Sequence, residues 1–320
     1  MCVALAVYTP RDDCADDNAG RQDIVRWHDQ FRASERGRWG FSLPELLVVV
    51  AIISLLLSIL APAVHKARRH ANRLLSTNNL RQIVQAVTLY SVDNEDRFPE
   101  SVATVGHQGV WNWSEPTILN GYYSQTDPRL HRSMSAYLNG YITEADILQC
   151  PNAPREIKYL EEAWAAGDLW DNPETGEPDD PLSGNYCFYW GYTGYLEGGR
   201  LFRGPRTAAG ERGYSQLLVG DYFGYDHWRS LKSFGSCEPF ARAGITAGTM
   251  HSASYWSCRD DKVSLESITV RPQAGYVDGR VEVYMPQETT GMRAILDRAL
   301  NLPYPDGIGP GVYYIPRVAH

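Results

Sequence analysis

The chain has 320 residues, 43% hydrophobic and 21% charged, which excludes both a disordered polymer and a uniformly membrane-embedded one. Thirty Lys and Arg face 38 Asp and Glu, a net charge of −8, so nucleic acid is not expected as the main partner, since phosphate neutralisation needs clustered cations. Aromatic residues make up 12%, with 20 Tyr and 9 Trp, as in strand-rich domains with wet surfaces.

The first 40 residues are polar and end in Arg36, Arg38, Trp39 and Gly40. From Phe41 to Val64 follows an apolar run of 24 residues with one ionisable side chain, Glu45. As a helix it spans roughly 36 Å, enough to cross a hydrocarbon core of about 30 Å. It is too long for a secretory signal, and it runs directly into a polar helical pattern. Pro44 suits a first helical turn, where its missing N–H has no acceptor to lose. A carboxylate within a membrane helix costs about 2.5–3.5 kcal/mol, so Glu45 needs a partner, a function or a place at the interface.

Gly40-Phe41-Ser42-Leu43-Pro44-Glu45-Leu46-Leu47, with the apolar run behind it, resembles the cleavage and methylation motif of type IV pilins and type II secretion pseudopilins. The resemblance implies cutting between Gly40 and Phe41 by a prepilin peptidase, and N-methylation of Phe41. It also implies that Glu45 attracts the amino terminus of a neighbouring subunit during assembly. Pro62 matches the proline at which pilin helices bend or loosen. Arg26, Arg32, Arg36 and Arg38 precede the run, and Lys66, Arg68, Arg69 and Arg73 follow it, so positive charge sets no orientation. The resemblance implies a cytoplasmic leader over 1–40 and a single pass of the inner membrane, with a periplasmic or extracellular remainder. The implied partners are prepilin peptidase, other pilin or pseudopilin subunits, an assembly platform and inner-membrane lipids.

Beyond Val64, Leu80, Ile83, Val84, Val87 and Tyr90 fall on one face of a helix, predicted to run on over 65–92 as an amphipathic spine. His65 and His70 lie among its cations and read as a solvated basic face beside the membrane. The helix is predicted to stop at Asp93-Asn94, ahead of Phe98-Pro99. Tyr90, Asp93, Asn94, Phe98 and Pro99 are similar to the Y-x-x-D-N-x-x-x-F-P junction of a large pseudopilin-like group. That group closes on His, nine residues, then Asp-Gly. Here Asp278-Gly279 is present, Ile268 stands where the histidine would be, and Arg280 follows Asp-Gly.

Residues 93–320 read as one globular domain, which with the spine makes an α+β fold of mostly antiparallel strands. Ala274–Val277, Asp278-Gly279 and Arg280–Tyr284 form the clearest hairpin, because Asp-Gly suits positive φ in a tight turn. Tyr186–Tyr192 and Ser215–Gly220 read as strands. Thr143–Leu148, with Thr143 and Asp146 as a capping box, and Gly291–Asn301 read as short helices. Asp168–Asp180 reads as an acidic surface loop whose Asp168, Asp171, Asp179 and Asp180 are weighed as oxygen ligands for Ca²⁺ against plain solvation. No resident cofactor and no metal site is otherwise expected.

Of the six cysteines, Cys2 and Cys14 belong to the leader, while Cys150, Cys187, Cys237 and Cys258 share the oxidising side and allow three disulfide pairings. No nucleophile elbow, zincin motif, P-loop or dinucleotide fingerprint occurs, and Asp226-His227 and Asp260-Asp261 are pairs that any acidic domain offers. The leading expectation is a non-enzymatic, structural pilin-like subunit of a type IV pilus or secretion pseudopilus. The alternative is a membrane-tethered carbohydrate-binding or hydrolytic domain, with Trp111, Trp113, Trp190, Trp228 and Trp256 as candidates for sugar stacking.

Overall fold

The computed structural model describes residues 41–104, 115–121, 130–153, 156–173, 181–226, 233–236, 245–247, 256–258, 265–297, 302–303 and 311–317. Its contacts divide the chain into two units, Met1–Leu57 and Ser58–His320. The described part of the first is the start of one helix, α1, Leu43–Asp93. The sequence-predicted apolar and amphipathic stretches are thus one element, which runs through Pro62.

Within the second unit, Leu80, Ile83, Val84 and Val87 are buried as their spacing requires, joined by Ser76, Ala86 and Ser91. In chain order there follow β1 (Ile118–Asn120), α2 (Met134–Leu138), α3 (Leu160–Ala166), β2 (Leu182–Ser183), β3 (Tyr186–Phe188), β4 (Thr193–Leu196) and β5 (Leu201–Arg203). Next come β6 (Leu217–Asp221), β7 (Phe223–Asp226), β8 (Ser233–Ser236), β9 (Ile245–Ala247) and β10 (Trp256–Cys258). The chain closes with β11 (Gln273–Tyr276), β12 (Val281–Val283), β13 (Thr289–Asp297), β14 (Leu302–Pro303) and β15 (Val312–Pro316).

Every strand pair is antiparallel. One sheet has the order β12-β11-β6-β3, and a larger one runs β5-β4-β13-β15-β7-β8 with β14 beside β13. The inner face of α1 lies on the first sheet. Thr77 Oγ1 donates to Gln273 Oε1 at 3.1 Å, Gln273 Nε2 donates to the Arg73 carbonyl at 3.2 Å, and the Ser76 and Tyr186 hydroxyls are 3.0 Å apart. Gly275 permits this approach: a Cβ there would stand 2.8 Å from Val84 Cγ2 and 3.1 Å from Val219 Cγ1. The fold is α+β, a long amino-terminal helix followed by a globular domain of antiparallel sheets.

The predicted hairpin is present as β11 and β12, with Gly279 at φ +84°. Tyr186–Tyr192 is strand only through Phe188; the chain then turns at Gly191, φ +62°, into β4. Two helix expectations are corrected. Gly291–Asn301 falls on β13, because that segment pairs with both β4 and β15 and a central position overrides the helix propensity of Met292-Arg293-Ala294. Thr143–Leu148 is only a 3₁₀ turn, Ala145–Leu148, whose cap position is Glu144 without a side-chain bond. Asp168 belongs to a second 3₁₀ turn, Gly167–Leu169, rather than to an open loop, and residues 174–180 lie outside the described residues.

Candidate functional site

Gly40 lies outside the described residues; Phe41 precedes α1 and is 79% exposed. Ser42 is the residue before the helix, and its carbonyl accepts the Leu46 N–H at 3.1 Å. Its own N–H and its Oγ both donate to Glu45 Oε2, each at 2.8 Å. This is the return half of a capping box, in which the third helical residue reaches back to the cap. The signal is legible as Ser42-x-x-Glu45 before an apolar run, and reasoning from sequence passed over it. Glu45 therefore has a partner within its own chain at one oxygen.

Behind Glu45, Leu46, Leu47, Ile52, Ile53, Leu56 and Leu60 are all more than half exposed or at half. The most apolar 18-residue window of α1 has a mean hydropathy of 2.9 and no buried residue, so α1 is long and apolar enough to cross a membrane. Lys66, Arg68, Arg69, His65 and His70 follow as an exposed basic stretch.

At the other end of α1 the junction residues meet one another. The Tyr90 ring stands edge-on to Tyr137, centroids 6.1 Å apart, and to Tyr141 at 5.8 Å. Tyr141 Oη donates to Asp93 Oδ2 at 2.7 Å, and Asn94 Nδ2 donates to the Tyr90 carbonyl at 2.8 Å. Glu95 and Asp96 adopt positive φ, 56° and 65°, which ends the helix. The Phe98 N–H then donates to the Arg206 carbonyl at 2.8 Å, and the Phe98 ring is buried. Burial pushes the Tyr137 hydroxyl up to about 12 and also raises Tyr90; Tyr141 is raised chiefly by its bond to Asp93. Ile268 is buried in place of a polar group, and Arg280 stacks 4.2 Å from the Tyr276 centroid between Asp278 and Glu282.

The remaining candidates disperse. Asp168 Oδ1 accepts the N–H groups of Arg132 and Ser133 at 3.0 and 2.8 Å, and Oδ2 lies 2.5 Å from His131 Nδ1. It anchors the turn into α2. Asp171 Oδ1 accepts the Asn172 N–H, while Asp179 and Asp180 lie outside the described residues. Cys150 and Cys187 are buried and not joined to each other. The Cys150 sulfur is 3.8 Å from Ser76 Oγ, and burial holds the Cys187 thiol far above its usual range. Cys237 and the side chain of Cys258 lie outside the described residues, as do Trp111, Trp113, Trp228, the side chain of Trp256, that of Asp226, His227, Asp260 and Asp261. Trp190 is 2% exposed and has no face to offer a sugar.

Comparison with known proteins finds one stretch of likeness. Over 70 residues, 22% of the chain, it is 36% identical to the type IV wide pilus major component PilA4 of Thermus thermophilus. Over that stretch the chain is similar to a type IV pilin. It spans about half the length of that relative, 53%. No family model and no solved structure matches the chain. The likeness and the long apolar helix together support a pilin-like, structural role, and α1 is compatible with a single-pass anchor.

Proposed function

We propose that the chain is a pilin-like subunit, cut between Gly40 and Phe41 by a prepilin peptidase, methylated on Phe41 and assembled into a type IV pilus or secretion-pseudopilus-like filament. The observation that carries this is the unburied apolar half of α1, which begins at the Gly40-Phe41-Ser42-Leu43-Pro44-Glu45 motif and leads into an antiparallel domain. Before assembly the helix rests in the inner membrane with the amino terminus cytoplasmic. On assembly, apolar halves from many copies pack together, and Glu45 meets the methylated Phe41 amine of a neighbour.

Amino-terminal mass analysis of the membrane-fraction protein tests the reading. A native chain beginning at methylated Phe41 is expected, and Gly40→Leu should accumulate a precursor about 40 residues longer. A native chain that still begins at Met1, with Phe41 unmodified, leaves only an anchored domain.

A further inference from the structure

Two oppositely charged surfaces lie at different heights along α1. The lower one is an open groove of about 860 Å³ beside Leu75, Asn79 and Gln82 of α1. Its charged lining is wholly acidic: Glu144, Asp146, Glu156, Glu161 and Glu162, all exposed. Lys158 is the cation in that stretch and does not line the groove. The upper surface is built on the segment that leaves α1, where Arg97 bridges Thr207 and the Phe98 N–H meets the Arg206 carbonyl. There the guanidinium carbons of Arg203 and Arg206 stand 5.9 and 5.6 Å from the Tyr214 ring centroid, with Arg200 and Arg212 on the same connection. All four arginines are exposed, and none pairs with a carboxylate among the described residues. Glu211 and Asp96 are the acids nearby in sequence, and Asp96 accepts the Ala209 N–H.

Asn79 and Asp96 are separated by about 25 Å of helix rise. One face therefore cannot satisfy the other within a molecule, but it can on the next copy along a common axis. We infer that the Arg203–Tyr214–Arg206 stack of one subunit docks in the acidic groove of a second copy of this chain, as the axial contact between globular domains. The inference rests on the filament reading above. Such a contact joins two different patches, and a heterologous contact of that kind generates an open helical array rather than a closed dimer. Copies carrying −8 each repel at long range, so a local match of opposite charge fixes the register between neighbours. Tyr214 holds both guanidiniums in place, which lowers the order lost on docking.

The test uses the full-length chain in its own cells, with sheared surface filaments as the readout. R203E/R206E and E161K/E162K should each reach the membrane fraction as wild type does, yet lower filament yield by at least about tenfold, because like charges then meet. Co-expressing the two variants should restore filaments. As a second readout that needs no charge reversal, E161C and R206C co-expressed should yield a covalent dimer on mild oxidation that neither gives alone. Filaments at wild-type yield from R203E/R206E, or no dimer from the cysteine pair, would overturn the inference and leave the filament reading intact. Loss with E161K/E162K alone would assign the groove to another segment, such as a neighbour's Lys66–Arg73, and overturn it as well. If wild type never yields filaments, both readings fall.

Discussion

Ser42 and Glu45 are bound to each other at the head of α1: two donors of the one, backbone and hydroxyl, converge on a single oxygen of the other. Glu45 thus starts its own helix and leaves its second oxygen for an incoming amine. The two roles separate by substitution. Glu45→Gln keeps an acceptor for Ser42 and removes the charge, whereas Glu45→Ala removes both. Both variants should insert and be processed but assemble poorly. Filaments from Glu45→Gln at wild-type yield would reduce the residue to a helix cap, worth about 1 kcal/mol.

Gly204 is a stringent position. A Cβ there would lie 1.5 Å from the Tyr189 carbonyl oxygen, a backbone atom that cannot swing aside. Gly204→Ala should therefore lower thermal stability far more than Gly140→Ala, whose Cβ would meet nothing within 4 Å. Thermal melts of the two variants in the same detergent check the order; equal melting temperatures would contradict the packing.

The Tyr90 cluster ties the end of α1 to α2 and its following turn. Tyr90→Ala should destabilise by about 2 kcal/mol, since a half-buried ring and two edge contacts are lost. Tyr141→Phe deletes only the bond to exposed Asp93 and should cost about 1 kcal/mol or less. Denaturant midpoints measure both, and the reverse ranking would be inconsistent with the arrangement.

Burial of the Cys187 thiol raises its ionisation, so the thiolate is scarce near neutrality. Iodoacetamide at pH 8 should leave Cys187 unlabelled in the native protein and label it after denaturation. Peptide mass mapping reads this directly, and prompt native labelling would show that the thiol is accessible.

Tyr137 gives an alkaline signature. Its folded value, about 12, lies above the ordinary value of 10, so its contribution is fully present below pH 10 and is lost as pH rises towards 12. Tyr137→Phe should flatten the fall in melting temperature over that window. An unchanged slope would show that other groups govern it.

The spine was legible because 3.6-residue periodicity over a long segment is hard to mistake: Leu80, Ile83, Val84 and Val87 are all in the core. The β11–β12 hairpin was legible from Asp278-Gly279, where chemistry demands positive φ. β13 was not, since Met292-Arg293-Ala294-Ile295-Leu296 favours a helix in isolation and becomes a strand only between two neighbours. α2 and α3, five and seven residues long, are too short for any period to register. At the candidate site the motif pointed to Glu45, but its bond to Ser42 needed coordinates. The opposed charges of Glu161 and Arg206 come from segments far apart in sequence, and only the helix between them makes them a pair.

The naked greasy stretch of α1 means that this molecule has no comfortable life in water. For a filament protein, that makes the bilayer a reservoir: subunits withdrawn from a shrinking fibre can return to lipid undamaged, ready for reuse, and the supply is set by recycling as much as by synthesis.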